Sequence, residues 1–290
     1  MTHLAKTLLT YLAEGLAPIR PVRIADVGAN PIEAPVYEAL AEAGLAEVWG
    51  FEPNDTARDA LEKAKLDCLR VLGHAVGKPG PAVFNAYKAS EMSSLYKMSE
   101  KSIGYLGHFR RHLGTEVEHQ LDLVGLDQLD DLPPVDLLKV DAQGAEVQVL
   151  QSGRRKLSKA VAVIAEMRFY RLYDGEPDLH ELDAELRAQG FVLHKFIRPK
   201  ARMLHNSQND RLNRRRIGSQ LIDGDAVYIR SFEDRSAWSD EQVAHLALLA
   251  AGVFGSHDLA LLCLDELAAR ANVQTLAAGY VSHLPQEYLA

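Results

Sequence analysis

Apolar and polar positions recur along this chain with two different periods, and the changes from one period to the other mark its elements. "VRIADV" is β-branched and apolar and breaks at "GANP"; "IEAPVYEALAEAG" then places Tyr37, Leu40 and Ala41 on one helical face and stops at Gly44. This reads as strand, turn and helix. "AEVWGFEPN" repeats the plan, with a strand ending in Glu52 and a helix through "DTARDALEKA" for which Asn54 or Asp55 serves as N-cap. "CLRVLGHAVG" reads as the third strand. The beat is then lost: "PAVFNAY" and "EVEHQLDLV" read as extra strands around a long irregular polar stretch, "KASEMSSLYKMSEKSIGYLGHFRRHLG". It resumes with "VDLLKVDAQGAEVQVL", a buried strand that ends in Asp141, turns at Gly144 and becomes a helix. "AVAVIAEM" is a further strand and "PDLHELDAELRAQG" an amphipathic helix closing on Gly190. "FVLHKFIR" and "AVYIR" read as two last strands, and the polar loop between them at 198–224 reads as an insertion.

Strands alternating with helices predict an α/β fold, a doubly wound sheet with helices on both faces. Ahead of it, residues 1–21 form one amphipathic helix with neither the order of a signal peptide nor a membrane-length apolar span. The sheet domain is expected over 22–234. Beyond Trp238 the pattern is Ala/Leu-rich and purely helical, so 235–290 reads as a small C-terminal helical appendage whose apolar faces suit the main domain or another copy of the chain.

Composition narrows the partners. Thirty-two Lys and Arg against 40 Asp and Glu leave a net charge of −8 in 290 residues, which argues against a general electrostatic grip on nucleic acid or an anionic membrane. The two cysteines, Cys68 and Cys263, are far apart in apolar segments, the pattern of buried reduced thiols in a cytoplasmic protein. The one basic concentration is "RPKARMLHNSQNDRLNRRRIG"; its default reading is a solvated loop. The sharper one is that Arg214, Arg215 and their neighbours recognise a phosphate, carboxylate or nucleotide on a substrate.

Ligands of open α/β sheets sit beyond the carboxyl ends of the strands. Asp26 and Gly28 end the first strand, where glycine lets backbone approach a ligand. Glu52 ends the second, where a carboxylate can accept hydrogen bonds from both hydroxyls of an adenosine ribose. "GANPIE" lacks the glycines that a dinucleotide pyrophosphate needs, and Asp26 with Glu33 makes an anionic lip suited to the ammonium and sulfonium of S-adenosylmethionine; a nicotinamide oxidoreductase is the weaker reading. Asp141 and Glu166 both end strands at this edge. Either is a candidate general base, or the two could share a divalent metal, with a structural alternative for each: Asp141 holding its turn, Glu166 pairing with Arg168 or Arg171. His108 and His112, spaced i,i+4, read as part of a solvated basic helix, with metal ligation or a lid base as the sharper alternative. Ser93 and Ser94 are candidates on the substrate side.

"IADVGAN", "FEPN", "HAVG", "SSL", "LLKVDAQGAEVQVLQSG", "AEMRFYRLYDGEP" and "DAVYIR", in this order, resemble the FkbM family of S-adenosylmethionine-dependent methyltransferases from about residue 22 to 230. The resemblance implies a class I methyltransferase fold, a Rossmann-like seven-stranded sheet with its last strand antiparallel. It also implies O-methylation, in most members of a sugar hydroxyl on a glycan or natural-product precursor. It puts Asp26, Gly28 and Asn30, with Ala29, around the methionine part of the cofactor, and Glu52, followed by Pro53 and Asn54, on the ribose. His74, Ala75 and Val76 fall near the adenine and Asp141 beside the transferring methyl. The family commonly has a second glycine where Ile32 stands, and that departure sustains a competing reading as a non-catalytic binding or assembly module.

Overall fold

A computed structural model describes residues 3–29, 34–63, 66–271 and 273–290. Asn30, Ile32 and Glu33, singled out above, lie outside the described residues.

Helix α1 (His3–Leu16) leads into β1 (Val22–Val27), α2 (Glu38–Glu42), β2 (Ala46–Phe51), α3 (Asp55–Lys63) and β3 (Leu69–Leu72). After an excursion, β7 (Leu137–Val140), α5 (Glu146–Ser152), β8 (Ala162–Arg168), α6 (Leu179–Ala188), β9 (Phe191–Arg202) and β10 (Gln220–Arg230) complete a sheet in the order β3-β2-β1-β7-β8-β10-β9. The first five of these strands run parallel, and β10 is antiparallel to both its neighbours, so the last strand inserts between β8 and β9. This is the class I methyltransferase topology that the sequence implies. The excursion holds β4 (Ala75–Val76), β5 (Gly80–Ala86), α4 (Glu100–Leu106) and β6 (Val117–Val124), whose strands make a separate three-stranded sheet in the order β4-β6-β5.

Three expectations change. The third strand stops at Leu72; Ala75 and Val76 leave it to pair with Leu123 and Val124 of β6. The hairpin loop is only 203–219, because β9 and β10 run longer than their apolar cores, with register shifts that absorb Pro199. His108 and His112 share no helix: α4 ends at Gly107 in a left-handed turn (φ 67°), His108 meets the carbonyl of Met203 at 2.9 Å, and His112 is buried.

The sheet's two faces carry two apolar layers, and strict alternation assigns residues to them. Val22, Ile24, Ala46, Val48, Leu137, Ala162 and Ile164 pack with Leu8, Leu9 and Leu12 of α1 and with Val243, Leu246 and Leu249 of α7 (Asp240–Leu249). Ala25, Val27, Trp49, Leu138, Val140 and Val163 pack on the other side with Val149 and Leu150 of α5 and Leu182 and Leu186 of α6. The C-terminal helices, continued by a π-turn at Ala250–Phe254, α8 (His257–Ala271) and α9 (Ala277–Ser282), are therefore one of the two covering layers, and their apolar faces are buried on this chain's own sheet. Arg20, in the link between α1 and β1, grips Asp136 just before β7 at 2.6 and 3.0 Å, and the fully buried His245 of α7 meets the same carboxylate at 3.2 Å. No described helix is long and apolar enough to cross a membrane.

A third cluster, Tyr87, Met92, Met98, Ile103, Leu106, Leu172, Tyr173 and Ile222, forms a cap beyond the carboxyl ends of the strands. It is built largely from the stretch that the sequence pattern leaves irregular.

Candidate active site

Following the strands of the α1/α7 face toward their carboxyl ends, each apolar column turns ionic. Val22 and Ile24 lead to Asp26, Leu137 leads to Lys139 and Asp141, and Ala162 and Ile164 lead to Glu166 and Arg168; on β10, read backwards, Ile229 and Val227 lead to Asp225 and Asp223. Neighbouring strands thus bring these side chains to one edge.

Two turns meet there. Gly28 has φ 82°, and its N–H reaches the carbonyl of Phe51 at 3.2 Å, while the Asp141 N–H donates to the carbonyl of Val27 at 3.0 Å. A Cβ at position 28 would lie 2.0 Å from the Asp141 carbonyl oxygen, so the close approach of the β1 and β7 turns depends on glycine. Asp26, only 4% exposed, is committed to protein partners: Tyr37 donates to one oxygen at 2.7 Å, and Lys139 Nζ lies 3.3 Å from the other. Burial, and then the Asp26 carboxylate, push the Tyr37 hydroxyl up. Burial works against charge on Lys139, but Asp26 and Asp141 more than offset it and hold the ammonium above its ordinary value.

Asp141 and Glu166 are joined by one amide. The NH2 of Gln143 donates to Asp141 Oδ1 at 2.9 Å and to Glu166 Oε2 at 2.8 Å, and its carbonyl accepts from Arg168 and from the Tyr173 hydroxyl, each at 3.3 Å. Gln143 stands at φ 48°, a left-handed conformation that costs a side-chain-bearing residue on the order of 1 kcal/mol and persists here because four partners hold the amide. Arg168 is itself buried among Glu166 (3.2 Å), Glu176 (3.3 Å) and Asp223 (3.0 Å). Burial opposes its charge and the three carboxylates restore it, holding the guanidinium above its usual value. Burial, and then Asp141, push the Glu166 carboxyl well above the usual range. Glu146 caps the turn, accepting from the N–H groups of Ala142 and Gly144 at 2.8 and 3.0 Å, and burial pushes it up to about 7 against the pull of Arg168.

The remaining sequence candidates fall into place around this centre. Glu52, half-buried at the end of β2, accepts from the Asn54 N–H at 2.7 Å with one oxygen; the other has no hydrogen-bond partner among the described residues. Asn54 is the N-cap of α3, its side chain accepting from the Ala57 N–H at 3.0 Å. Pro53 follows in the same exposed turn, Ala29 is buried behind Gly28, and His74 is exposed beyond β3. The serines are tied down by the cap: Ser93 Oγ accepts from the Tyr87 N–H at 3.0 Å, and the buried Ser94 donates to the backbone carbonyl of Gln143 at 2.5 Å. Ser94 therefore clasps the cap onto the Gln143 turn. Arg214 and Arg215 are exposed in the hairpin loop. Lys200, read as part of that loop, stands on β9 with Nζ 3.1 Å from Asp223 and 3.8 Å from Glu166. Gln143, Lys200, Asp223, Glu176 and Tyr173 belong to the site without having been singled out; the apolar-to-ionic run of each column was the available signal for Asp223 alone.

The donor set fits S-adenosylmethionine on charge. Among the described residues, Asp26, Asp141, Glu146, Glu166, Glu176, Asp223 and Asp225 face Lys139, Arg168, Lys200 and Arg198, and burial raises Glu146, Glu166, Glu176 and Asp225 alike. Such an excess favours a ligand bearing a sulfonium and an ammonium. The acid group Asp141, Glu146 and Glu166 places one oxygen of each within 4.8 Å of the others. A cation shared by Asp141 and Glu166 does not fit as well, because the Gln143 NH2 already bridges them and both Glu146 oxygens accept backbone N–H groups.

Solved structures similar to this chain include the precorrin-6y C5,15-methyltransferase of Geobacter metallireducens GS-15 (12% identity, 78% of this chain and 87% of that one, TM-score 0.37). The magnesium protoporphyrin IX methyltransferase of Synechocystis PCC 6803, solved with bound S-adenosylmethionine, shows 12% identity over 78% of each chain with a TM-score of 0.36. The Methanococcus jannaschii fibrillarin pre-rRNA processing protein shows 13% identity over 73% of this chain and 67% of that one, TM-score 0.39. The chain matches no curated protein. The family described as the Methyltransferase FkbM domain matches residues 26–193, which span both turns, most of the cap and the Asp141–Gln143–Glu166 centre. On that match, the chain belongs to the FkbM methyltransferase family, whose members use S-adenosylmethionine as cofactor.

Proposed function

We propose that this chain is an O-methyltransferase that methylates a hydroxyl of a sugar or related small molecule, with Asp141 as the base. The observation that carries the reading is the pairing of Asp141 with the buried Glu166 through Gln143, at the sheet edge that also holds Gly28 and Glu52. Glu52 and the Gly28 turn hold the cofactor's ribose and methionine parts, with His74, Ala75 and Val76 on the adenine side. When bound, S-adenosylmethionine supplies an electrophilic methyl on a sulfonium. A sugar hydroxyl is a weak nucleophile, so its proton must leave as the oxygen attacks. Asp141 accepts that proton on the oxygen that Gln143 leaves free, and Gln143 fixes the rotamer that presents it. The clasp from Ser94 to the Gln143 carbonyl keeps the cap closed over the carboxylates and limits water. No metal is needed in this account.

Calorimetric titration with S-adenosylmethionine and S-adenosylhomocysteine tests the first half. Saturable binding is expected, weakened at least tenfold in Glu52→Ala; no binding to the wild-type chain would overturn the reading in favour of a non-catalytic module. Asp141→Asn tests the second half against a panel of sugar acceptors with labelled donor. It should keep cofactor affinity and lose methyl transfer by about 10²-fold or more, whereas an unchanged rate would remove Asp141 as the base.

A further inference from the structure

Outside the catalytic edge, the strongest unexplained feature is the tip of the β9–β10 hairpin. Residues 203–219 of this acidic chain contain four arginines, Arg211, Arg214, Arg215 and Arg216, and a single acid, Asp210. Asp210 neutralises little: it is fully exposed and 4.0 Å from Arg214. No carboxylate of the described residues pairs with Arg215, Arg216 or the half-buried Arg202.

The tip is a built surface. Its base is docked on the cap: Met203 is buried, its carbonyl meets His108, Leu204 packs on the cap's apolar cluster, and His205 crosses Gly107, where a Cβ would come within 2.2 Å. The loop then organises itself through the Asn209 side chain, which bonds the Asn206 N–H and His205 at 2.9 Å, and through Gln208, which accepts from Arg211 at 3.1 Å. Arg214 and Arg215 line a shallow depression with Asn209, Asp210, Leu212 and Asn213, so two guanidiniums face one carboxylate there, and Asn213, whose oxygen accepts the Arg215 N–H at 3.1 Å, has its amide NH2 left to donate. The strand that feeds the loop is anchored in the catalytic edge, where Lys200 meets Glu166 and Asp223. Arg202, two residues on and on the same side of the strand, lies about 6.5 Å farther from that edge.

We propose that this arginine tip binds the diphosphate of the methyl acceptor, so that the acceptor is a sugar carried on a nucleoside diphosphate. The inference rests on the methyltransferase reading of the adjoining edge. A single carboxylate would satisfy one guanidinium; a diphosphate has the charge and the number of oxygens to engage three or four of them in paired hydrogen bonds. Held there, the sugar projects back along β9 toward Asp141. The loop lacks the aromatic side chains that stack bases in a nucleic-acid groove.

The test uses the full chain, with inorganic pyrophosphate and uridine diphosphate as probes and S-adenosylhomocysteine titrated separately in every sample. Saturable binding of both probes is expected, weakening severalfold between 50 and 200 mM salt and at least tenfold in Arg214→Ala/Arg215→Ala/Arg216→Ala, with S-adenosylhomocysteine affinity unchanged. Equal probe affinity in wild type and triple variant would overturn the proposal. So would the absence of probe binding alongside loop-dependent capture of a short single-stranded RNA or of anionic vesicles. A wild-type chain that binds the probes through the loop but not S-adenosylhomocysteine would leave the loop assignment standing and reject the methyltransferase reading instead.

Discussion

Replacing Gly28 by alanine isolates the contact on which the catalytic edge is built. The new Cβ would start 2.0 Å from the Asp141 carbonyl oxygen. Ordinary contact requires that gap to open by at least about 1 Å, and because both partners are backbone, no side chain can rotate away. Opening it lengthens the Asp141-to-Val27 and Gly28-to-Phe51 hydrogen bonds, now 3.0 and 3.2 Å, at about 1 kcal/mol each. Alanine at φ 82° adds about 1 kcal/mol more. The total is about 3 kcal/mol. Gly44→Ala is the matched control, since Gly44 also has a positive φ (70°) but nothing within 4 Å of its would-be Cβ, and it should cost only the backbone term of about 1 kcal/mol. Urea unfolding of the two variants reads the difference, expected at about 2 kcal/mol, and S-adenosylhomocysteine affinity should fall in Gly28→Ala alone. A difference below about 0.5 kcal/mol would refute the claim that the two turns touch as described.

Two further substitutions probe the buried charges. Glu146 holds its proton up to about pH 7 when folded, against 4.5 ordinarily, so the folded state binds that proton more tightly and stability falls as pH rises from 4.5 to 7, by on the order of 3 kcal/mol. Glu146→Gln should flatten that part of the stability–pH curve measured by denaturant midpoints at pH 5 and pH 8; an unaltered slope would mean that another carboxyl carries it. Arg168→Met leaves Glu166, Glu176 and Asp223 without their shared cation and should destabilise the chain by about 3–5 kcal/mol at neutral pH, less at pH 5 where the acids take up protons. Equal destabilisation at both pH values would show that lost packing, not charge, is the cause.

Most of the sheet was legible because its strands are buried on both faces and read as short apolar runs between turn residues. Asp26, Glu52, Asp141 and Glu166 were legible for a related reason: each closes such a run, and a charge at the carboxyl end of a buried strand has one edge to face. Gln143 carries no such signal. It sits in a turn, where neither period applies, and its amide acquires meaning only when β8 brings Glu166 alongside Asp141. Lys200 was hidden by Pro199 and by the charged neighbours that made the end of β9 look like loop. His74, Ala75 and Val76 looked like one strand with Leu72 because local pattern does not record that β6, nearly 50 residues later, takes Ala75 and Val76 into another sheet. Asn54, one of the two N-cap candidates of α3, behaved locally, as caps do.

Helix α1 shares its apolar layer with the C-terminal helices: Leu9 lies against Gly252, and the Tyr11 hydroxyl donates to the carbonyl of Leu276 at 2.8 Å. During synthesis, α1 therefore emerges well before the helices it packs with. At ordinary elongation rates the roughly 240 residues between them occupy on the order of 10–50 s, and for that interval one face of the nascent sheet stays open. The early strands are thus exposed to solvent and to chaperones until α7 to α9 emerge, and only then does the sheet that carries the candidate catalytic carboxylates gain its second wall.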